Sequence, residues 1–157
     1  MFLFNNYMSR KPKYLIALED IEKRNHGLLT PRHVVDEAED PLSPLHNYFE
    51  WDDSEAGRKY RLYQARQLIS KVRVRIEDNR EQKYFNATVS IGESRTQGYV
   101  SRERVKSEDE IYAQVLQQAA QELIYWRKKY SSIKELRGII NEEELQPLLD
   151  SILADSI

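Results

Sequence analysis

The sequence predicts an α+β fold: short N-terminal helices, a three-stranded antiparallel meander, and a long C-terminal helix packed on the sheet. Three observations carry this. Lys71-Val72-Arg73-Val74-Arg75-Ile76 alternates cations with β-branched residues, the period of a strand with one face on a core. Residues 83–91 repeat the alternation, with Phe85, Ala87, Val89 and Ile91 on one face and Tyr84, Asn86, Thr88 and Ser90 on the other. Residues 107–130 carry Ile111, Val115, Ala119, Leu123, Trp126 and Tyr130 at helical spacing, a stripe suited to the apolar face of the sheet.

The remaining elements follow in order. Residues 1–13 read as a loose basic arm, residues 14–140 as one α+β domain, and residues 141–157 as a short helical or frayed acidic tail. Leu15, Leu18 and Ile21 give 15–24 an apolar side, and Gly27 stands where a C-cap glycine ends a helix. Thr30-Pro31 starts the next helix as N-cap and first helical residue, and Asp40-Pro41 ends it. Ser43-Pro44 opens a short helix carrying Leu45, Tyr48, Phe49 and Trp51. Asp52 or Asp53 caps a helix over 54–70 whose packing side is Ala56, Tyr60, Tyr63, Leu68 and Ile69. A turn over 78–81, a polar connection over 92–98 and a third strand over 99–104 complete the meander. Ser107 then caps the long helix, with Glu110 closing a capping box.

With 157 residues and 40% hydrophobic content, the chain suits a single core. It has no cysteine, which excludes disulfides, thiolate metal sites and a cysteine nucleophile. No apolar run approaches the length of a membrane span, and Met1-Phe2-Leu3-Phe4, followed at once by Asn5-Asn6, does not read as a signal peptide. A cytoplasmic location is the expectation, with no membrane partner.

Nothing in the sequence points to an enzyme, a metal or a cofactor. His33 and Glu37 share a helix face but lack a third ligand. No serine sits in a nucleophile elbow, and Gly92–Gly98 lacks the lysine of a phosphate-binding loop. The carboxylate pairs read as helix caps and solvated starts.

Net charge is −2, unevenly spread. Residues 71–106 hold 9 Lys/Arg against 5 Asp/Glu, while residues 107–157 hold 5 against 10. On one strand face Lys71, Arg73 and Arg75 recur every ~6.6 Å, with Arg95, Arg102, Arg104 and Lys106 on the neighbouring connection and strand. This face is a candidate nucleic-acid-binding surface. A solvated face kept charged against aggregation explains the pattern equally well, and Glu77, Asp78, Glu81 and Glu103 dilute it. The rhythm of 15–39 is that of a helix-turn-helix, but Asp36, Glu37 and Glu39 on the second helix oppose phosphate, so helix packing explains it better. Tyr48, Phe49 and Trp51 form an aromatic group fit for a protein interface, or for a core.

The block from Leu29-Thr30-Pro31-Arg32-His33 through Asp40-Pro41-Leu42-Ser43-Pro44 to Phe49-Glu50-Trp51-Asp52-Asp53 resembles small phage and prophage proteins of uncharacterised function. Arg61–Leu68 and the Tyr-Trp-Arg-Lys-Lys-Tyr end of the long helix fit the same pattern. The resemblance implies synthesis in a bacterial host cytoplasm and one of a few roles: binding nucleic acid, assembling, or obstructing a host protein. The expected function is therefore non-enzymatic nucleic-acid binding through the basic sheet face. The alternative is a protein-interaction module that self-assembles or binds and inhibits a host protein.

Overall fold

The computed structural model describes residues 10–51, 53–137 and 142–154. The fold is α+β. Helix α2 (Pro31–Ala38) packs against α3 (Glu55–Lys71) on one side and α1 (Lys13–Arg24) on another, with a 3-10 turn at His46–Tyr48 before α3. Thr30 caps α2 as its sequence requires, its Oγ1 accepting from the His33 N–H at 3.2 Å. At the end of α1 both His26 (φ 55°) and the expected Gly27 (φ 74°) take the left-handed conformation. The Gly27 N–H then closes back on the Glu22 carbonyl at 2.8 Å. Asp52, one of the two expected caps of α3, lies outside the described residues. The observed cap is Ser54, whose Oγ accepts from Gly57 N–H.

The expected three-stranded meander is instead two separate antiparallel hairpins. β1 (Arg73–Ile76) pairs with β2 (Asn79–Gln82), and β3 (Tyr84–Ile91) with β4 (Ser94–Ser101). Both turns have two central residues, so strand begins where the sequence suggested loop. Polarity was the misleading signal: Ser94, Arg95 and Gln97 are exposed on a real strand. Gly92 (φ 61°) makes the tight β3–β4 turn possible, because a positive φ at the first central residue suits glycine. Glu77 holds the same position in the β1–β2 turn at φ 53°. The expected third strand over 99–104 is the end of β4 followed by a short helix, α4 (Arg102–Ser107), capped by Ser101 Oγ.

Lys83 joins the hairpins. Its N–H donates to the Val72 carbonyl at 3.2 Å, continuing the β1–β2 ladder, and its carbonyl accepts from the Arg102 N–H at 2.7 Å. The core has two parts. Leu18, Val34, Leu45, Ala65, Ile69 and Tyr84 belong to one, with the helices. Leu28, Ala87, Val89, Val100, Val105 and Ile111 belong to the other, with the β3–β4 hairpin. Leu28 and Leu29 run between them, and Leu29 exchanges both backbone hydrogen bonds with Tyr99, at 2.8 and 2.7 Å. Gly98 lets this segment approach β4: a Cβ there would stand 2.8 Å from Leu28 Cδ1. Tyr84, assigned to the solvated strand face by alternation, is fully buried, because β3 begins between α1 and the hairpin.

The long helix α5 spans Asp109–Lys129 and begins two residues after the expected cap. Ser107 ends α4 instead, its Oγ donating to the Arg104 carbonyl. Ile111 and Val115 pack on the β3–β4 hairpin as expected, but Ala119 and Leu123 are exposed. Successive steps of four residues advance 40° each around a helix, so that stripe rotates off the sheet. A different pair holds α5 in place. Gln114 Oε1 accepts from Thr88 N–H at 2.9 Å and its Nε2 donates to Thr88 O at 3.0 Å, while Gln118 Nε2 donates to Asn86 O at 3.2 Å. These side chains satisfy the edge of β3 that faces away from β4. Beyond the hairpin, α7 (Glu142–Ala154) packs on the second half of α5, with Leu149 buried and Arg127 bonded to Gln146. Between them lies one turn, α6 (Lys134–Arg137). Among the described residues no helix is long and apolar enough to cross a membrane.

Candidate nucleic-acid interface

The cations singled out from sequence are not gathered into one stripe. Arg102 crosses to β2 and pairs with Glu81, half-buried. Arg104 turns the other way: its Nε donates to Glu108 at 2.7 Å and its Nη1 to the carbonyls of His26 and Gly27, clamping the α1–α2 turn. Arg95, near the β3–β4 turn, pairs with Glu110 of α5 at 3.3 Å. Lys106 is exposed on α4. Arg102 and Arg104 therefore hold elements together, a role that the alternation of residue types cannot disclose, whereas the Arg95–Glu110 pair lies in solvent and is worth little.

Lys71, Arg73 and Arg75 stand differently. Lys71 is the last residue of α3 rather than the first of a strand. Val72, Val74 and Ile76 do turn inward while Arg73 and Arg75 are exposed, so the alternation of the strand is real. Arg73 Nη1 donates to the carbonyls of Ser70 and Val72, which lays its guanidinium against the C-terminal end of α3, where the helix dipole favours a cation. Arg75 Nε donates to the Glu77 carbonyl at 3.4 Å.

This contact makes β1 a continuation of α3, and α3 is where the missed residues lie. Its inward side is Gly57, Leu62, Ala65 and Ile69. At 100° per residue the opposite side presents Lys59, Tyr60, Tyr63, Arg66 and Lys71, all exposed. The expectation that Tyr60 and Tyr63 pack inward is corrected: they are 50% and 53% exposed and stack on one another, ring centroids 6.1 Å apart at 21°. Ala56, expected to pack inward with them, is also exposed. Residues 55–76 hold 7 Lys/Arg against a single acid, Glu55, a net +6. Glu55 pairs with Lys59 at 3.4 Å in full solvent, an interaction worth little. Dividing the sequence at residue 70 split this segment and concealed its charge. A helical wheel of 55–71 followed by the alternation of 72–76 would have found it.

The aromatic group expected at a protein interface is occupied within the fold. Phe49 is buried. Trp51 stacks on His46 with centroids 4.8 Å apart, donates from Nε1 to the His46 carbonyl at 3.1 Å, and has Arg61 over its ring at 5.1 Å. Tyr48, half-exposed, leans on Tyr14 at 5.5 Å. The His33–Glu37 pair is likewise committed: His33 Nδ1 lies 2.7 Å from Thr30 Oγ1, and Glu37 binds Arg24 at 2.8 Å. Among the described residues no group of three potential ligands gathers for a metal.

The groups with displaced acidity sit at the joint of the fold, away from the outward side of α3. Glu19 and Lys83 form a largely buried ion pair at 2.6 Å, with Lys11 also on Glu19 at 3.0 Å. Burial works to raise the pKa of Glu19, but the hydrogen bonds and charges of Lys83 and Lys11 prevail and hold it below the usual carboxylate value. Burial raises Glu22 despite hydrogen bonds from Tyr84 and Ser101, and burial beside Glu22 pushes the Tyr84 hydroxyl upward. The Tyr84 hydroxyl donates to Glu22 at 3.2 Å. This cluster ties α1 to β3.

No protein-family model matches the chain, and comparison with curated proteins and with solved structures gave no match.

Proposed function

We propose that the chain binds single-stranded nucleic acid along the outward side of α3, with β1 extending the cationic track. The observation that carries this reading is the exposed Tyr60–Tyr63 stack set among Lys59, Arg66 and Lys71 on a helix side with one acid at its end. Bases stack on tyrosine rings whatever their sequence, and flanking cations meet the phosphates; single-strand binders combine these two contacts. From Lys59 to Lys71 the helix rises ~18 Å, room for several nucleotides. The proposal keeps Lys71 and Arg75 as phosphate contacts, with Arg73 bonded to the end of α3 between them, and takes Lys59, Tyr60, Tyr63 and Arg66 in place of Arg95, Lys106 and the fold-engaged Arg102 and Arg104.

The test is fluorescence anisotropy of a labelled single-stranded oligonucleotide over a range of salt. Four phosphate contacts, from Lys59, Arg66, Lys71 and Arg75, give a log–log salt slope of about −3 on a single strand. Arg66→Ala/Lys71→Ala lowers that slope by about 1.4. Tyr60→Ala/Tyr63→Ala weakens binding roughly tenfold or more through lost stacking while leaving the slope in place. Absence of binding at low salt, or a slope that the double cation variant does not change, defeats the proposal.

A further inference from the structure

A second surface has no part in nucleic-acid binding. Tyr112, Leu116, Ala119 and Leu123 of α5 recur at steps of four, three and four residues, and all four are exposed. Tyr112 is 51%, Leu116 37% and Leu123 40% exposed. Two other sides of α5 are occupied, one by the β3–β4 hairpin through Ile111 and Val115, the other by α7 beside Ala120 and Arg127. The third carries an apolar seam of the spacing that one helix offers another, and nothing in the described structure lies on it.

The charges of the helix say what fits there. Glu108, Asp109 and Glu110 stand at its start and Arg127, Lys128 and Lys129 at its end, with Glu122 the one charge between them. Glu108, half-exposed beside its intrachain partner Arg104, and Lys129 flank the seam on the same side, 21 residues or three heptads apart. A parallel copy of α5 would set Glu108 on Glu108 and Lys129 on Lys129. An antiparallel copy sets Glu108 opposite Lys129 at both ends, and the helix dipoles then oppose as well. The same register places Tyr112 against Leu123 of the second copy and Leu116 against its Ala119, a large residue facing a small one. Glu122 falls opposite Val115 at the edge of the seam. The arrangement is two-fold symmetric, so each contact is made twice.

We infer that the chain forms a two-fold symmetric homodimer through antiparallel packing of α5, seamed by Tyr112, Leu116, Ala119 and Leu123 and registered by Glu108–Lys129 pairs. Sedimentation equilibrium of the full chain tests this. The expected mass is about 37 kDa, twice the 18.7 kDa of one chain. Leu116→Lys/Leu123→Lys yields a monomer with an unchanged helical circular dichroism signal. If that variant loses helix, Ala119→Glu, a change at an exposed position, takes its place and gives the same loss of dimer. Lys129→Glu weakens association roughly tenfold by setting like charges at both ends, and raising the salt concentration narrows the gap. A wild type that stays monomeric at high micromolar concentration overturns the inference, as does a dimer indifferent to the seam variants. A Lys129→Glu variant that dimerises as tightly as the wild type at low salt overturns the antiparallel register. Dimerisation that appears only when residues 1–9 are deleted also overturns it, because the seam would then be covered by the chain's own N-terminus.

Discussion

Replacing Gln114 by alanine strips the edge of β3. The glutamine meets the Thr88 N–H at 2.9 Å and the Thr88 carbonyl at 3.0 Å, and all of these groups are partly buried. Each hydrogen bond contributes about 1 kcal/mol net, and a buried amide or carbonyl left without a partner costs 1–3 kcal/mol. Water reaches Thr88 in part, so the lower end applies and the two losses together come to about 2 kcal/mol. Gln114→Glu separates the two contacts. It keeps an acceptor for the Thr88 N–H, loses the donor to the carbonyl, and sets a carboxylate against that oxygen, so it loses at least half as much. Urea unfolding followed by circular dichroism reads this as a lower midpoint at constant slope. Amide hydrogen exchange reads it locally: the Thr88 amide loses protection, while the alternate amides of β3, which point to β4, retain theirs. A stability change under about 0.5 kcal/mol, or an unchanged Thr88 amide, would refute the idea that the glutamine secures the edge.

Two further outcomes follow from the joint and the hairpin. Gly98→Ala brings a Cβ within 2.8 Å of Leu28 and 3.1 Å of the Leu29 carbonyl, so it forces the bridging segment off β4 and lowers stability by about 1–3 kcal/mol; an unchanged unfolding midpoint would show that the segment yields freely. For Glu19, whose pKa is held below its unfolded value, the pair with Lys83 stabilises the fold above the ordinary carboxylate range, and that stability is lost as pH falls through the folded value. Lys83→Met leaves Glu19 with only the exposed Lys11 against its burial, so stability at neutral pH falls, by less than the roughly 3 kcal/mol of a buried pair broken outright, and lowering the pH then recovers part of the loss. Unfolding midpoints of both proteins across the acid range check the sign; equal slopes against pH would contradict it.

The outline of the fold was legible because its signals are local. Thr30-Pro31 caps α2 whatever surrounds it, and the alternation from Val72 to Ile76 orients β1 without knowledge of its partner. Strand pairing was not legible. Asn79–Gln82 and Ser94–Gln97 are polar, and only the two-residue turns at Glu77-Asp78 and Gly92-Glu93 make them strands. The basic surface was half legible. Lys71, Arg73 and Arg75 stood out by their alternation, but Tyr60 and Tyr63 look like core residues until the inward side of α3 is known to be Leu62, Ala65 and Ile69.

The sequence by itself determined the α+β class, the helix starts, the absence of cysteine chemistry and the inward side of β1, because each rests on residues a few positions apart. Tertiary structure decided which charges are spent on the fold. Arg102 and Arg104 belong to the same segment as Arg95, yet one reaches β2, the next the α1–α2 turn and the third α5. A long side chain finds its partner through space, and spacing along the chain carries no record of that choice. The same holds for α5, where only the packing of the hairpin on one side and α7 on another leaves Tyr112, Leu116, Ala119 and Leu123 uncovered.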